Sequence, residues 1–326
     1  MPSVYKVKPR DIIGGVLSDS LISGRKNISR VLSDSRIPKN TTDLDFSSLN
    51  DYTRSERFFN FFRRILRRNE RPNNAYTRTE YTALSFTKDL LENLPNLVGL
   101  KNIPDNFAEI IAPNFTGLQS LDLTGCKDLT NLNLSGCLSL TSLTNIPLSI
   151  INLVLPGCKA LSEIDLTEYS NLKKLDIEGC NFEILNLSKC IWLQEIKLPT
   201  SVTAINLSGC WSVKNLDLNG FNKLTKIDLH DCRALTSIKI PPSATNIDLS
   251  GCKNLKSLDL AECVNLKKLN LTDCGNLQYD TRLKQQLENL EATGCEIDFP
   301  PRLSTPRTST ANPKTSLSSS SQNERS

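Results

Sequence analysis

Residues 118–126 read Leu-Gln-Ser-Leu-Asp-Leu-Thr-Gly-Cys, and this phrase recurs through the middle of the 326-residue chain. Its consensus is Leu-x-x-Leu-x-Leu-x-x-Cys, with Ile, Val or Ala in place of some leucines. Its fourth residue, which returns about every 11 positions, is Leu121, Leu132, Leu143, Leu153, Ile164, Leu175, Leu185, Ile196, Ile205, Leu216, Ile227, Ile238, Ile247, Leu258 and Leu269. So many copies of one template indicate a repeat architecture.

The central Leu-x-Leu of the phrase has a period of two. That period predicts a short strand with both leucines on one side and the middle residue on the other. A strand of three residues cannot bury its own apolar side. Stacked copies would therefore form parallel ladders with strands about 4.8 Å apart and a continuous leucine column inside.

The copies fall into two alternating series, so that each coil of about 21 residues carries two of them. The first series is Leu121, Leu143, Ile164, Leu185, Ile205, Ile227, Ile247, Leu269 and Leu290. The second series is Leu132, Leu153, Leu175, Ile196, Leu216, Ile238 and Leu258. Extended chain on both sides gives similar path lengths, which predicts a weakly curved solenoid of about eight or nine coils, roughly 40 Å long.

The repeated phrase resembles the leucine-rich repeat family over about residues 97–299. Family members usually carry one such strand per 20–29 residues, whereas two copies per coil resemble the irregular, nested repeats of bacterial members. The resemblance implies an α/β leucine-rich repeat solenoid that acts as a protein–protein interaction module.

The cysteines all fall at the corner position of the repeat. They are Cys126, Cys137, Cys158, Cys180, Cys190, Cys210, Cys232, Cys252, Cys263, Cys274 and Cys295. This placement predicts buried thiols that reach loop carbonyls in a reducing compartment. No Cys-x-x-Cys pair marks a zinc site, so neither a metal nor a cofactor is expected.

The middle residues of the first series form an outward strip that is acidic or neutral. We name as the candidate partner-binding strip Asp122, Asp165, Asn186, Asn206, Asp228, His230, Asp248 and Asn270. Two interpretations stay open: the strip binds a basic or polar partner, or it only keeps a sheet surface soluble.

His230 is the one histidine of the chain, and repeat stacking brings it near serines and aspartates. Such a group invites comparison with a hydrolase triad. A flat strand surface, however, would neither exclude water nor build an oxyanion site. The sequence therefore predicts a binding protein and not an enzyme.

The N-terminal third has a different composition. Residues 1–45 are polar and predict partial disorder, and residues 46–115 predict a helical cap. Within that cap, 54–70 predicts an amphipathic helix with phenylalanines on one side, and 80–94 and 104–112 predict shorter helices. The basic side of the amphipathic helix is formed by Arg63, Arg64, Arg67 and Arg68.

Several roles of this basic helix stay open. It caps the first coil, docks on a membrane surface through residues 54–71, or presents its arginines to nucleic acid or an acidic protein. Nucleic acid is disfavoured for the whole chain because its net charge is only +4.

The solenoid is predicted to span 116–299, with a closing helix near 280–290. Residues 300–326 are rich in Ser, Thr and Pro, which predicts a disordered tail that serves as a linker or a secretion signal. The tail resembles the translocation tails of Legionella-type type IV secreted effectors.

Together these features predict a monomeric bacterial effector, without a signal peptide, that is secreted into the host cytosol and binds a host protein. The chain stops soon after its last coil, which leaves no expected room for a catalytic ubiquitin-ligase domain of the kind that follows the repeats in other bacterial effectors. The alternatives are an adaptor resembling F-box leucine-rich-repeat proteins, a membrane-docking scaffold, and a protein of the bacterial cytoplasm.

Overall fold

The computed structural model describes residues 4–6, 12–18, 27–32, 43–45, 82–85, 97–103, 105 and 107–299. In chain order the strands are β1 (Val4–Lys6), β2 (Ile12–Ser18), β3 (Asn27–Leu32), β4 (Asp43–Asp45), β5 (Thr82–Ser85), β6 (Gly99–Lys101), β7 (Phe107–Ile111), β8 (Ser120–Asp122), β9 (Asn131–Asn133), β10 (Ser142–Thr144), β11 (Asn152–Val154), β12 (Lys174–Asp176), β13 (Ile184–Asn186), β14 (Glu195–Lys197), β15 (Ala204–Asn206), β16 (Asn215–Asp217), β17 (Lys226–Asp228), β18 (Ser237–Lys239), β19 (Asn246–Asp248), β20 (Lys268–Asn270) and β21 (Glu296–Asp298). Helix α1 (Thr281–Ala292) lies between the last two strands.

The strands alternate between two faces of a parallel solenoid of about eight turns, as the repeat predicts. First-series strands form the sheets β1-β4-β6-β8-β10 and β13-β15-β17-β19-β20-β21. Second-series strands form β2-β3-β5-β7-β9-β11-β12-β14 and the pair β16-β18. We call the outward sides of these two sets the first face and the second face.

The register of the ladder places the repeat leucines in columns. Ile227 of β17 lies opposite Ile247 of β19, which in turn lies opposite Leu269 of β20. Neighbouring strands in a parallel pair exchange hydrogen bonds, so each three-residue strand is stabilised by the coils before and after it. The buried apolar residues from Leu44 to Cys295 form one continuous core.

Many corners combine an Asx turn with a left-handed residue. After β8, Asp122 Oδ1 accepts the Thr124 N–H at 2.9 Å, and Gly125 follows with φ +89°. Cys126 then turns inward and is buried. An Asp or Asn at the strand end satisfies the first corner amide, and glycine adopts the positive φ without a steric penalty.

The prediction of buried corner thiols is confirmed, because all eleven cysteines are free and buried. Nine of them donate to a carbonyl of the preceding coil, as Cys232 does to Leu207 O at 3.2 Å. Serine would offer the same bond at a higher desolvation cost, which explains why a weakly polar thiol fits this position.

The ladder begins before the predicted boundary at residue 116. Strands β6 and β7 pair with β8 and β9, and β4 pairs with β6. The predicted helix over 104–112 is therefore wrong, since 107–111 is strand β7. The predicted helix over 80–94 is also wrong where the structure describes it, because 82–85 is strand β5. Ladder hydrogen bonds to neighbouring coils outweigh the local helical pattern.

The segment 1–45, for which the sequence predicts partial disorder, contributes strands β1 to β4. Among these, β2 pairs antiparallel with β3, whereas β3 continues the parallel ladder to β5. The repeat architecture thus extends into a region whose sequence lacks the Leu-x-x-Leu-x-Leu phrase.

Two of the fifteen predicted half-units, those of Ile164 and Leu258, do not form strands. In the first, Tyr169 occupies the position that cysteine holds elsewhere, and its hydroxyl reaches Ile146 O at 2.7 Å. In the second, the Leu260 N–H donates to Gln286 Oε1 at 3.0 Å and not to a following strand.

The predicted closing helix is confirmed as α1. Asp280 Oδ1 caps it by accepting the Leu283 N–H at 2.8 Å, and Leu283, Leu287 and Leu290 are buried against the last coil. The expectation that Leu290 centres a first-series strand is therefore wrong. Ile297 takes that place in β21, opposite Leu269.

Other predictions fall outside the described residues. These are the amphipathic helix over 54–70 with Arg63, Arg64, Arg67 and Arg68, the membrane contact of 54–71, and the tail 300–326. In the part of the chain that is described, no helix has the length and apolarity needed to cross a bilayer.

Candidate functional site

The structure places most of the predicted strip in one row at the ends of first-face strands. Asp122 ends β8, Asp228 ends β17 and Asp248 ends β19. Asn186, Asn206 and Asn270 end β13, β15 and β20 in the same way. Asp165 belongs to the half-unit of Ile164, which is not a strand, so it lies in the break between the two first-face sheets.

One side-chain oxygen of each Asp and Asn in the strip has a structural role. In every case it accepts the backbone N–H two residues ahead, for example Asn206 Oδ1 from Ser208 at 2.8 Å and Asp228 Oδ1 from His230 at 3.0 Å. The same bond recurs at Asp122, Asp165, Asn186, Asp248 and Asn270. The choice of Asp or Asn at these positions is therefore explained first by turn formation.

Hydrogen bonds also hold two strip carboxylates in the charged form. The side-chain amide of Asn145, together with Thr124, lowers the pKa of Asp122, and the backbone N–H of Thr167 lowers the pKa of Asp165. Donors that bind the charged form favour it over the protonated acid.

His230, Ser250 and Asp248 form a hydrogen-bonded chain, with serine in the middle. His230 Nδ1 lies 2.8 Å from Ser250 Oγ, and Ser250 Oγ lies 2.5 Å from Asp248 Oδ1. Because the serine hydroxyl donates to the carboxylate, His230 must donate its Nδ1–H to the serine. A hydrolase needs histidine to accept the serine proton and aspartate to orient the histidine. Here serine lies between histidine and aspartate and donates its proton to the aspartate. This group therefore orients His230 on the surface.

A shallow open groove of about 420 Å³ runs across the same strands. One wall is formed by five residues of the strip, namely Asn186, Asn206, Asp228, Asp248 and Asn270. The other is a column that the sequence reasoning missed, namely Ile184, Ala204, Lys226, Asn246 and Lys268. These residues come directly before the central leucine of each phrase and face outward for the same period-two reason as the strip. The period-two alternation of the phrase is the sequence signal that identifies this column.

The apolar end of the groove is unusual for a polar sheet surface. Ile184 in β13 leaves 75% of its area exposed, beside the break in the first face. Exposed apolar side chains that adjoin a groove are typical of binding surfaces. The groove thus offers an apolar contact at β13 and charged contacts from β17 to β20.

The charges of the second face neutralise one another across the ladder. Lys197 lies 3.1 Å from Asp176, and Lys239 lies 2.5 Å from Asp217. Further ion pairs link Lys174 with Glu195 and Arg282 with Asp259. The charged residues that end the strands of the second face therefore already have ion-pair partners within the protein.

The first face differs at β17 and β19. Asp228 and Asp248 lie directly opposite each other in the parallel register. Within the described residues, neither carboxylate has a cation at ion-pair distance. Lys226 likewise has no carboxylate at that distance. Like charges that face each other on adjacent strands are destabilising. At about 5 Å in water the repulsion is on the order of 1 kcal/mol, and it grows where solvent is excluded.

Two observations bear on metal and thiol chemistry in the described part of the chain. No group of three His, Cys, Asp or Glu side chains there is arranged to hold a metal ion. Burial raises the pKa of Cys126 to about 12 and those of Cys190, Cys263 and Cys274 to about 11. Thiols with such values stay protonated near neutral pH and are poor nucleophiles.

The phrase, the strand pairing and the corner geometry define a leucine-rich repeat solenoid. No family model matches the chain, and the comparison with curated proteins found no match. Among solved structures, a leucine-rich repeat protein from Bacteroides ovatus aligns at 17% identity and a TM-score of 0.26, over 82% of this chain and 68% of that one.

Two other structures show a similar likeness. The leucine-rich repeat protein of T. pallidum aligns at 14% identity and a TM-score of 0.28, over 91% of this chain and 99% of that one. YopM from Yersinia enterocolitica aligns at 12% identity and a TM-score of 0.20, over 73% of this chain and 56% of that one. Because these TM-scores are low, the fold assignment rests on the strand pairing of this chain.

Proposed function

We propose that this protein is a non-enzymatic protein-binding module. Its first face, from β13 to β20, binds a partner segment that carries a basic side chain. The observation that supports this most directly is the registered pair Asp228 and Asp248, whose charges have no counter-ion among the described residues. An arginine or lysine placed between them would relieve their repulsion.

The remaining groove contacts define the rest of the partner segment. Lys226 offers a cation beside the acidic row, and Ile184 offers an exposed apolar surface at the far end. A segment with a basic residue, an acidic residue and an apolar side chain would match all three. The ladder holds the strand backbones in place, so little ordering of this surface opposes binding.

The test uses fluorescein-labelled octapeptides of alternating arginine and valine, with the glutamate–valine peptide as the charge-reversed comparison. We expect the arginine peptide to bind, and Asp228→Asn/Asp248→Asn to weaken that binding by about tenfold or more, measured by anisotropy at low salt. Asparagine keeps the oxygen that forms each Asx turn, so the variant retains its fold.

Asp217→Asn is the matched control because Asp217 lies on the second face and already pairs with Lys239. Its binding should equal that of the unmodified protein. Equal binding of the arginine peptide by the unmodified protein and by the Asp228→Asn/Asp248→Asn variant would refute the first-face proposal.

We further propose that the partner is a host protein and that the chain is a monomeric bacterial effector delivered into the host cytosol. The support is the resemblance of the nested repeat and of the polar tail to such effectors. Deleting residues 301–326 should then abolish delivery of a reporter fusion without changing the melting temperature of the protein. Unimpaired delivery, or a dimer in sedimentation, would contradict this finer proposal.

A further inference from the structure

Both tryptophans of the chain are exposed on the same corner of the solenoid. Trp192 is 52% exposed and Trp211 is 46% exposed, on consecutive coils after Cys190 and Cys210. The core, in contrast, is built from leucine, isoleucine, cysteine and a few phenylalanines. Tryptophan at these positions therefore does not serve core packing.

Stacking of the cysteines aligns the residues that follow them into a ridge. Cys190, Cys210, Cys232 and Cys252 occupy successive corners of the first series. The residues directly after them are Ile191, Trp211, Arg233 and Lys253, and together with Trp192, two residues after Cys190, they form what we call the corner ridge. The ridge is apolar over its first two coils and cationic over the next two.

The two halves of the corner ridge meet at Trp211. The Arg233 guanidinium carbon lies 4.9 Å from the centroid of the Trp211 ring. Arg233 Nη2 and Nε contact Asp231, at 3.1 and 3.5 Å, whereas Nη1 has no partner among the described residues. Stacking on the ring and the bond to Asp231 hold the guanidinium in place with one edge directed to solvent.

We propose that the corner ridge is a second protein-binding surface, which takes a partner segment with an aromatic or large apolar side chain followed by acidic residues. Tryptophan and arginine dominate the energetics of protein interfaces. The open edge of Arg233 and the ammonium of Lys253, which has no ion pair in the described part of the chain, complement carboxylates.

A protein is favoured over an anionic polymer or membrane because the adjoining corner row is not uniformly basic. Asp231 lies beside Arg233, and Glu168 pairs with Lys189 at 2.6 Å. A phosphate backbone or an anionic lipid surface would meet these carboxylates along the same edge. A short segment that places its acids only at Arg233 and Lys253 avoids them.

The two tryptophans make the ridge directly observable, since the intrinsic tryptophan emission of the chain comes from this surface. The probe is a fluorescein-labelled octapeptide of alternating glutamate and phenylalanine, and a lysine–phenylalanine peptide serves for comparison. We expect the acidic peptide to shift the emission to the blue and to reduce acrylamide quenching. Arg233→Glu/Lys253→Glu should weaken its binding about tenfold or more.

Three further measurements make the result decisive. Trp211→Ala should weaken binding of the acidic peptide, whereas Leu138→Ala, an exposed apolar residue at the opposite corner, should not. Arg233→Gln/Lys253→Gln repeats the test without charge reversal, and melting curves check that each variant folds. Asp228→Asn/Asp248→Asn should bind as the unmodified protein does, which separates this ridge from the first face.

Binding of the acidic peptide that is unchanged in the charge variants would overturn the proposal. So would tighter binding of a single-stranded oligouridylate or of phosphatidylserine vesicles than of the acidic peptide, because the ridge would then serve a nucleic acid or a membrane.

Discussion

Lys189 Nζ lies 2.6 Å from Glu168 Oε1, and both residues have left-handed backbones, with φ of 62° and 67°. They occupy the corner position that glycine holds in many other coils, such as Gly209 and Gly251. The exposed ion pair thus joins two corners whose backbone geometry disfavours a side chain.

Lys189→Gly should raise the free energy of unfolding by about 0.5–1 kcal/mol. Removal of the positive-φ penalty of about 1–2 kcal/mol exceeds the loss of an exposed ion pair, which contributes about 0–1 kcal/mol. Urea unfolding followed by circular dichroism measures the change. Lys127→Gly, an exposed corner lysine without a positive φ, is the control and should not stabilise; a destabilised Lys189→Gly variant would contradict the strain argument.

Gly251→Ala should destabilise the fold by about 1–2 kcal/mol, because Gly251 has φ +72° and an added Cβ would lie 2.6 Å from Asp231 Oδ1. Gly275→Ala provides the comparison. A Cβ there meets nothing within 4 Å, and Gly275 has no positive φ, so its stability should change little. Equal effects of the two substitutions in urea would show that the corner tolerates side chains.

Gln286→Ala should lower the free energy of unfolding by about 1–2 kcal/mol, because it leaves the Leu260 N–H without its acceptor. Gln286 also donates to Asp259 Oδ1 at 2.9 Å and is the main cause of the lowered pKa of Asp259. A lowered pKa contributes stability above the ordinary value of 3.8 that is lost as the pH falls. The variant should therefore lose less stability on acidification than the unmodified protein.

The control for that experiment is Gln285→Ala, since Gln285 is exposed and bonds only Asn289 in the described structure. Its effect should stay within about 0.5 kcal/mol. A Gln286→Ala variant that unfolds at the same urea concentration as Gln285→Ala would mean that α1 does not replace the missing strand in the way we describe.

The buried thiols predict loss of stability at alkaline pH. Burial raises the pKa of Cys190, Cys263 and Cys274 from 9.0 to about 11. The folded state therefore holds protons that the unfolded state releases. The stability that the protonated thiols contribute to the folded state is complete below pH 9 and decreases as the pH rises toward 11. Urea midpoints at pH 7, 9 and 10.5 measure the decrease; a midpoint that is constant or rises over this range would refute it.

The same burial predicts a thiol titration that depends on unfolding. A disulfide reagent at pH 8 should modify few thiols in the folded protein and all eleven in denaturant. Rapid modification of any repeat cysteine without unfolding would show that its corner is open to solvent.

Sequence periodicity was sufficient for the fold because every coil repeats the same physical requirement. Leu-x-Leu must bury one side and Cys must turn inward, as at Leu121 and Cys126, so stacking follows from the phrase itself. Prediction failed both inside and outside the clear repeats: the half-units of Ile164 and Leu258 form no strand, whereas two segments before residue 116 do. The strands at 82–85 and 107–111 form because neighbouring coils supply their hydrogen bonds, which local propensity does not report.

The candidate site was predicted in part for the same reason. Asp228 and Asp248 were placed correctly on one outward row, since both follow a repeat leucine by one position. Their second role, as Asx-turn acceptors, depends on the geometry of the corner. The ridge of Trp192, Trp211 and Arg233 was not predicted, because the phrase leaves the residues after each cysteine unspecified and only the stacking of the corners brings them together.

The sequence by itself determined the solenoid, its two alternating series, the burial of the thiols and the closing helix, because each depends on the spacing of similar residues along the chain. Only the tertiary structure decided which charges are neutralised. Lys197 and Lys239 meet aspartates one coil away on the second face, whereas Asp228 meets Asp248 on the first. Ion pairing acts across coils, over distances that depend on register and on the breaks in each sheet, and so the difference between the two faces emerges only when the coils are stacked.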